Sequence, residues 1–445
     1  MIQKLGRTLI VLLAYLGFSP SNSLAAPAPG STLEDFFSAA INFSPELRIA
    51  EESLNISSAR RKAANGQLLP QLSAGANLSD NRLDRFNSLQ TFDGERYFLS
   101  LTQTLFNWQQ FSARTQASLQ EDQSEEEYFY QLAILLADVA SRYFAVLQAE
   151  DALESLTSEI DALTTQLNQV QSLYDRQLTQ ITDLYQVRAS LAAAQAEQLA
   201  LEAQFAVNQE GLRSISGLEV GPLFKLADEI EISPLEYSQQ FYVNQAQEQN
   251  HRVLARKLAV KAAEKGIQVS KGAYMPQVSF IAQRQDSDVG FDNLPIARTD
   301  TTYIGLNVQI PIYSGGRTTA GVSEAVSRRS IAEYELRATQ LQAREAVRST
   351  HLQIQAREAQ TEAARILVES TNLASDAMQQ GFNLGAVTSV DVLNAIRDQY
   401  QAERELQRFR YEHINLLLLL KRETGTLSAE DLLEVGAWLI PAQAQ

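Results

Sequence analysis

The chain has 445 residues, with 37 Lys and Arg against 53 Asp and Glu, a formal charge of −16, and it contains no cysteine. An acidic balance of this size excludes a nucleic-acid surface, because phosphates need a basic counterpart; lining a pore, it would favour cations. The absence of cysteine suits an oxidising export route and rules out a lipid anchor on an N-terminal Cys, so any membrane attachment has to come from the folded chain.

Taken in chain order, residues 1–25 read as a signal peptide. Lys4 and Arg7 precede an apolar stretch over 9–18, and Ser23-Leu24-Ala25 ahead of Ala26 forms a small-x-small cleavage site. The stretch is too short for a bilayer, which needs about 20 apolar residues. Cleavage would leave 35 basic (37 − 2) and 53 acidic residues, a balance of −18.

The remainder is a duplication. Gly66-x-x-x-Pro70-Gln71-Leu72-Ser73 returns as Gly272-x-x-x-Pro276-Gln277-Val278-Ser279, a shift of 206 (276 − 70). Leu105-Phe106-Asn107 matches Ile312-Tyr313-Ser314 at 207, and Tyr174, Asp183 and Gly217 match Phe382, Asp391 and Gly425 at 208. The first repeat spans 32–218 and the second 238–427. A linker over 219–237 joins them, carrying Gly221, Pro222 and Pro234, and residues 428–445 form a C-terminal segment.

Each repeat opens with a predicted strand hairpin, over about 71–106 and about 277–313. In the first, 97–105 alternates, with Leu99, Leu101 and Leu105 on one face and Ser100, Thr102 and Thr104 on the other. In the second, Ile304, Leu306, Val308 and Ile310 oppose Tyr303, Gly305, Asn307 and Gln309. Residues 72–78 and 278–282 begin the weaker partner strands, joined to the stronger ones by polar loops expected over 81–95 and 286–300. Each stronger strand has the length needed to cross a bilayer obliquely. Tyr97, Phe106 and Trp108, with Tyr303 and Tyr313, mark its ends as interfacial girdles would. Four strands cannot close a barrel in one chain, since small membrane barrels need eight, and an open edge cannot sit in lipid; closure calls for an oligomer.

Long helices follow, over about 112–216 and about 317–424. Neither Gly nor Pro occurs between Gly94 and Gly211, or between Gly321 and Gly381, and the second gap could reach on the order of 90 Å. Ala149, Leu153, Leu156, Ile160, Leu163, Leu167, Val170 and Tyr174 step by four and three, a heptad seam. The pattern resumes from Leu184 through Val187, Leu191, Ala194, Leu201, Phe205, Leu212 and Ile215, with polar Gln198 and Asn208 at two seam positions, so two helices pack back to back. The reversals lie between Tyr174 and Asp183 and between Phe382 and Asp391. Gly385 can supply the left-handed turn in the second, where the first has Gln177. The apolar run over 414–420 is too short to span a membrane and reads as a buried part of a longer helix.

Several chemistries are missing. His251, His351 and His413 are scattered, no HExxH, CxxC, P-loop or GxSxG string occurs, and Arg60-Arg61-Lys62 and Arg328-Arg329 read as solvated helix faces. The sequence points away from an enzyme, a metal or a cofactor.

Together with these features, the strings at 66–73 and 272–279, LNVQIPIYSGG at 306–316, GAVTSVDVL at 385–393, and Thr424-Gly425-Thr426-Leu427 followed by Glu430-Asp431-Leu432-Leu433 resemble the TolC family of outer-membrane efflux and secretion proteins, in its non-lipidated branch. The resemblance implies a mainly α fold with membrane β. It implies a homotrimer whose four strands per chain make a 12-stranded barrel, above a coiled-coil tunnel projecting into the periplasm. Pro311, Gly315 and Gly316 would then sit at the bend from barrel to tunnel. It further implies a location in the outer membrane of a Gram-negative bacterium, in contact with its lipid. The duct would export proteins by type I secretion, or small toxic molecules, by passive passage through an iris-gated tunnel. Its partners would be a periplasmic adaptor (membrane fusion) protein and an inner-membrane ABC exporter or proton-driven pump.

By the same resemblance, Asp391 occupies the position of an acidic ring at the pore constriction, and Asp183 that of an acid at the first-half tip. A second acidic ring position reads Asn394, the basic latch residue reads Val387 and its tyrosine partner reads Phe382, so the family's polar latch is missing. Closure would rest on packing of Phe382 and Val387, or on Arg176 or Arg188 pairing with Asp183 or Asp391. The turn residues Gln177, Leu178, Gly385 and Ala386 would meet the adaptor. The competing reading is a non-conducting periplasmic adaptor or coiled-coil scaffold, which would carry one helical hairpin and small β domains instead of two copies of both.

Overall fold

A computed structural model describes residues 31–85, 88–227, 235–290 and 293–441. The expected signal peptide and Pro234 lie outside the described residues.

The duplication is visible element by element. The first repeat contains α1 (Leu33–Phe43), α2 (Pro45–Gly66), β1 (Gln71–Arg85), β2 (Ser88–Asn107), α3 (Trp108–Asp175) and α4 (Ile181–Ser216). A short β3 (Lys225–Leu226) follows. The second repeat contains α5 (Gln239–Gln249), α6 (His251–Gly272), β4 (Gln277–Val289), β5 (Pro295–Gln309), α7 (Arg317–Asn383) and α8 (Ser389–Thr424). The chain closes with α9 (Ala429–Gly436) and β6 (Leu439–Ile440). Even the helix caps repeat: Thr32 and Ser238 cap α1 and α5, and Ser44 and Asn250 cap α2 and α6, each accepting from a backbone N–H of the first turn.

The strands form one antiparallel sheet in the order β1-β2-β4-β5. The polar stretches expected as loops are in the ladder: Asn81 pairs with Phe92, and Asp286 with Asp300. Polarity did not end the strands, because cross-strand partners hold the extension in water. Arg284 bridges Asp300 at 2.6 Å and Arg298 bridges Asp286 at 3.0 Å. The 20 residues of β2 therefore reach about 66 Å, roughly twice what a bilayer strand requires. On the half of the sheet next to the helices, the apolar side chains Leu99, Leu105, Ile304, Leu306, Val308 and Ile310 are all at least half exposed.

Helices α3 and α7, of 68 and 67 residues, are each about 100 Å long. α2 and α4 lie along α3, α6 and α8 lie along α7, and α6 and α8 also pack along α3, joining the two repeats. The joints are tight. Gly217, ending α4 at φ 72°, sits against the Phe43 ring, and Gly425, ending α8 at φ 81°, sits against the backbone of Gln249 and Asn250. Asn250 Nδ2 also donates to the Glu423 carbonyl at 2.8 Å.

Around the middle of the helices the remaining elements form a belt. Phe36, Val139, Tyr143, Phe144, Leu212, Tyr411 and Ile414 share one buried cluster with Leu432 of α9 and Leu439 of β6. The linker and the C-terminal segment meet here, Lys225 and Leu226 pairing with Ile440 and Leu439. Tyr143 anchors the linker by accepting from the Phe224 N–H at 3.1 Å, and Tyr411 donates to Asp151 at 2.6 Å. The run over 414–420 is buried within α8, as read from sequence, with Ile414, Leu418 and Leu420 inside. One window of α3 is apolar enough to cross a membrane, but 56% of it is buried in the fold.

Candidate functional site: the two helix reversals and the outward-facing sheet

The heptad seam delivers both reversals to one end of the helical body. Leu156, Leu163 and Val170 of α3, Leu184, Val187 and Ala194 of α4, and Val392, Leu393 and Ile396 of α8 form one buried cluster, with Phe382 and Val387 packed against it. Asn208, a polar seam position, donates to the Ala145 carbonyl at 2.8 Å and so is satisfied inside the coil.

The two turns are copies in geometry. Gln177 (φ 61°) and Gly385 (φ 71°) hold the left-handed position. The following N–H closes the helix end in each: Leu178 donates to the Leu173 carbonyl at 2.9 Å, and Ala386 to the Gly381 carbonyl at 2.8 Å. Leu178 and Leu384 project from the turns, 69% and 85% exposed. Ile181 and Tyr185 on the first turn of α4 are exposed beside them, an apolar group that sequence reading did not single out.

The acids differ. Asp391 sits at the third position of α8 in a capping box: its Oδ2 accepts from the Thr388 hydroxyl at 2.7 Å and the Thr388 N–H at 2.9 Å, while its own N–H donates to the Thr388 hydroxyl. These two donors, hydroxyl first, hold its carboxyl below the usual aspartate range. The Thr388-x-x-Asp391 spacing carries the signal of this cap, which sequence reading did not single out. At the first reversal Gln180 stands at the N-cap with no side-chain bond to a backbone N–H, and Asp183 accepts instead from the Thr179 hydroxyl, one residue earlier, at 2.6 Å.

Neither arginine reaches these acids within one chain. Arg188 donates to Gln171 at 3.0 Å, and Arg176 is exposed with no ion pair among the described residues. Phe382 and Val387 are half-buried, Val387 lying over Gly381. Asn394, one turn above Asp391 on α8, lines a cavity of about 540 Å³ between α3, α4 and α8, together with Glu159, Glu197, Arg397, Arg404 and Arg408. There Arg404 and Glu159 form a half-hidden ion pair at 2.8 Å that ties α8 to α3.

At the other end, Tyr97, Phe106, Trp108, Tyr303 and Tyr313 are all exposed. Tyr97 stands opposite Asp286 and Phe106 opposite Val278, so the two levels lie about 30 Å apart along the strand, close to a hydrocarbon core. Tyr303 stands opposite Gln283, about 10 Å from the level of Tyr97.

The sequence profile of the outer membrane efflux protein family matches residues 37–218 and 242–426, one copy on each repeat. This chain belongs to that family. It is similar to the outer membrane protein TolC of Vibrio cholerae, 28% identical over 381 residues, covering 85% of this chain and 86% of that protein. It is 26% identical to TolC of Escherichia coli over 440 residues, 97% of this chain and 89% of that protein. The alkaline protease secretion protein AprF of Pseudomonas aeruginosa is 25% identical over 417 residues, 91% of this chain and 86% of that protein. Among solved structures, the transmembrane channel CusC superposes with a TM-score of 0.78 at 17% identity, covering 91% of this chain and 95% of that one. These findings make the chain an outer-membrane efflux or secretion channel with the duplicated TolC-type fold, located in the outer membrane of a Gram-negative bacterium, and a conduit rather than an enzyme.

Proposed function

We propose that three copies of this chain form an exit duct, their strands closing into a 12-stranded barrel and their helices into a periplasmic tunnel. The observation that carries the reading is a sheet whose lower half exposes a row of apolar side chains while both edges, β1 and β5, are unpaired. In lipid those edges must pair. Two copies would give eight strands, which side chains fill, whereas three leave a lumen.

The helices support the same rotation. β5 runs into α7, and β1 follows α2, so pairing β5 with β1 of the next copy brings α7 beside the neighbour's α2. α7 carries exposed Ile331, Tyr334, Leu341, Leu352, Ile366 and Leu373; α2 carries Ile49 and Ile56, seven residues apart. Tyr97, with Phe106, Trp108 and Tyr313, would mark the two girdles of the barrel, whereas Tyr303, in one row with Gln283 and Ser100, alternates onto the opposite face.

At the opposite end the reversals form the iris. Asp391 and Asp183 ring the constriction, Phe382 and Val387 pack it shut, and Gln177, Leu178, Gly385 and Ala386 face a periplasmic adaptor. An ABC exporter or a proton-driven pump in the inner membrane loads the duct with protein or small-molecule cargo. AprF, named for alkaline protease secretion, favours the protein route. The repeat boundaries at 32–218 and 238–427 are the units so assembled, with the linker and C-terminal segment as their belt.

The test is the purified chain in detergent and in planar bilayers. A trimer by light scattering and cation-selective conductance support the duct; a soluble, non-conducting monomer sinks it in favour of a scaffold. In-cell cross-linking from Leu178 or Leu384 identifies the pump class.

A further inference from the structure

The two helical hairpins share their packing positions at a shift of 208, yet at the level of the belt they fill them differently. The first hairpin has Tyr143 and Phe205; the equivalent positions of the second (143 + 208 and 205 + 208) hold His351 and His413. Tyr143 is buried with its hydroxyl bonded to the Phe224 N–H, and Phe205 packs against the belt core. The histidines are sunk as deeply, 5% and 2% exposed, but His351 Nδ1 and His413 Nε2 have no hydrogen-bond partner. A ring that packs as hydrocarbon in one repeat is thus replaced, in the other, by one that can take up a proton.

His351 lies between Val347 and Ile354, in the cluster they form with Val243, Ala246 and Leu420, and its ring stands 6.1 Å from that of Tyr242. His413 is one turn before Leu416 and Leu417, which pack on the same cluster. From α7 it faces Glu358 and Arg357, and Arg357 is bonded to Glu412 at 2.7 Å. From α3, Asp151 and Glu150 act on Tyr411, two residues before His413 on α8, as does Arg410 of α8 itself. Burial holds the His413 imidazole below its usual range; Glu358 opposes this and Arg357 adds to it.

We propose that the α7–α8 hairpin carries an acid-sensitive packing point at belt level, centred on His413, which the α3–α4 hairpin lacks because Phe205 fills the same place. It goes beyond the duct reading and holds for the single chain whether or not copies assemble. A proton on His413 places a charge in apolar packing, beside the Arg357 guanidinium and with no acceptor for Nε2. The sign follows: an opened segment takes up the proton as pH falls below the unfolded value near 6.5, whereas the packed one resists until the lower folded value. Packing is therefore intact above pH 6.5 and weakens below it. The reversal lies 24 residues down α8 (413 − 389), about 36 Å away, with its own buried cluster, so acid softens the wall at the belt and leaves the tip in place.

The experiment is hydrogen exchange on the full chain in detergent, read over 409–420 of α8 and over the equivalent 201–212 of α4. Between pH 7 and 5.5, protection over 409–420 should fall severalfold, up to about tenfold, the most that one proton supplies over one pH unit below 6.5. Protection over 201–212 should stay constant. His413→Phe, which copies the first hairpin, should abolish the fall, and His351→Tyr should leave it. Should His413→Phe not fold, His413→Gln, uncharged at every pH, decides in its place. Equal protection of the parent at both pH values, equal loss in the two hairpins, a fall that survives the His413 variants, or one abolished by His351→Tyr each overturns the proposal.

Discussion

At the first reversal the chain turns on Gln177 and enters α4 through an uncapped Gln180; at the second it turns on Gly385 and enters α8 through a full Thr388–Asp391 capping box. The hydrogen bonds that close the helix ends are the same in both. A duplicated fold has thus kept its backbone while the chemistry at its two working ends has diverged, with the better-capped, glycine-turned reversal being the one that bears the exposed acid. Duplication constrains what the coil must pack, and leaves free what the tip presents to water and to partners.

The joints between stacked helices offer the largest contrast. An added Cβ at Gly425 would lie 2.6 Å from the Asn250 Cα, backbone that cannot yield, and φ is positive. Gly425→Ala should cost about 3 kcal/mol or more and show as loss of assembled protein and a lower melting temperature. Gly217→Ala meets only the Phe43 ring, which can rotate. It should cost about 1–2 kcal/mol, and equal losses would mean that the two joints are alike after all.

The turns come next. Nothing lies within 4 Å of the position a Cβ would take at Gly385, so Gly385→Gln carries the left-handed penalty without a clash, about 1 kcal/mol by chemical denaturation. Gln177→Gly should move stability the other way by about 0.5 kcal/mol. If neither changes the denaturation midpoint, the positive φ at these positions is not what the two reversals share.

Caps give a smaller effect on stability and a separate one on permeation. Thr388→Val removes the hydroxyl of the capping box and should cost about 1 kcal/mol, whereas Gln180→Ser should gain about 0.5 kcal/mol by supplying the cap the first reversal lacks. Asp391→Asn should weaken block by multivalent cations applied from the tip side. The sign of its pH dependence follows from the depressed carboxyl: the cap contribution is complete above the unfolded value near 3.8 and is lost as pH falls through the lower folded value. Block should therefore persist at pH 5, and block that fades between pH 7 and 5 would place the responsible acid elsewhere.

The sequence by itself determined the repeat, the strand and helix textures and the location of both reversals, because each is a local pattern: alternation, a heptad seam, a left-handed position. Even the equivalence of Gln177 with Gly385 followed from register alone. Tertiary structure decided what joins distant segments. The polar stretch over 286–300 continues as strand because arginines and acids meet across the β4–β5 ladder, the stretch over 81–95 continues in the β1–β2 ladder, and the linker and C-terminal segment pair because the belt core brings Leu226 and Leu439 together. It likewise set Gln169 against Asn383, 214 residues away. Periodicity tells which face of a helix is buried, but a hydrogen bond between two helices depends on how each is rotated and staggered against the other, and one chain's pattern does not encode that directly.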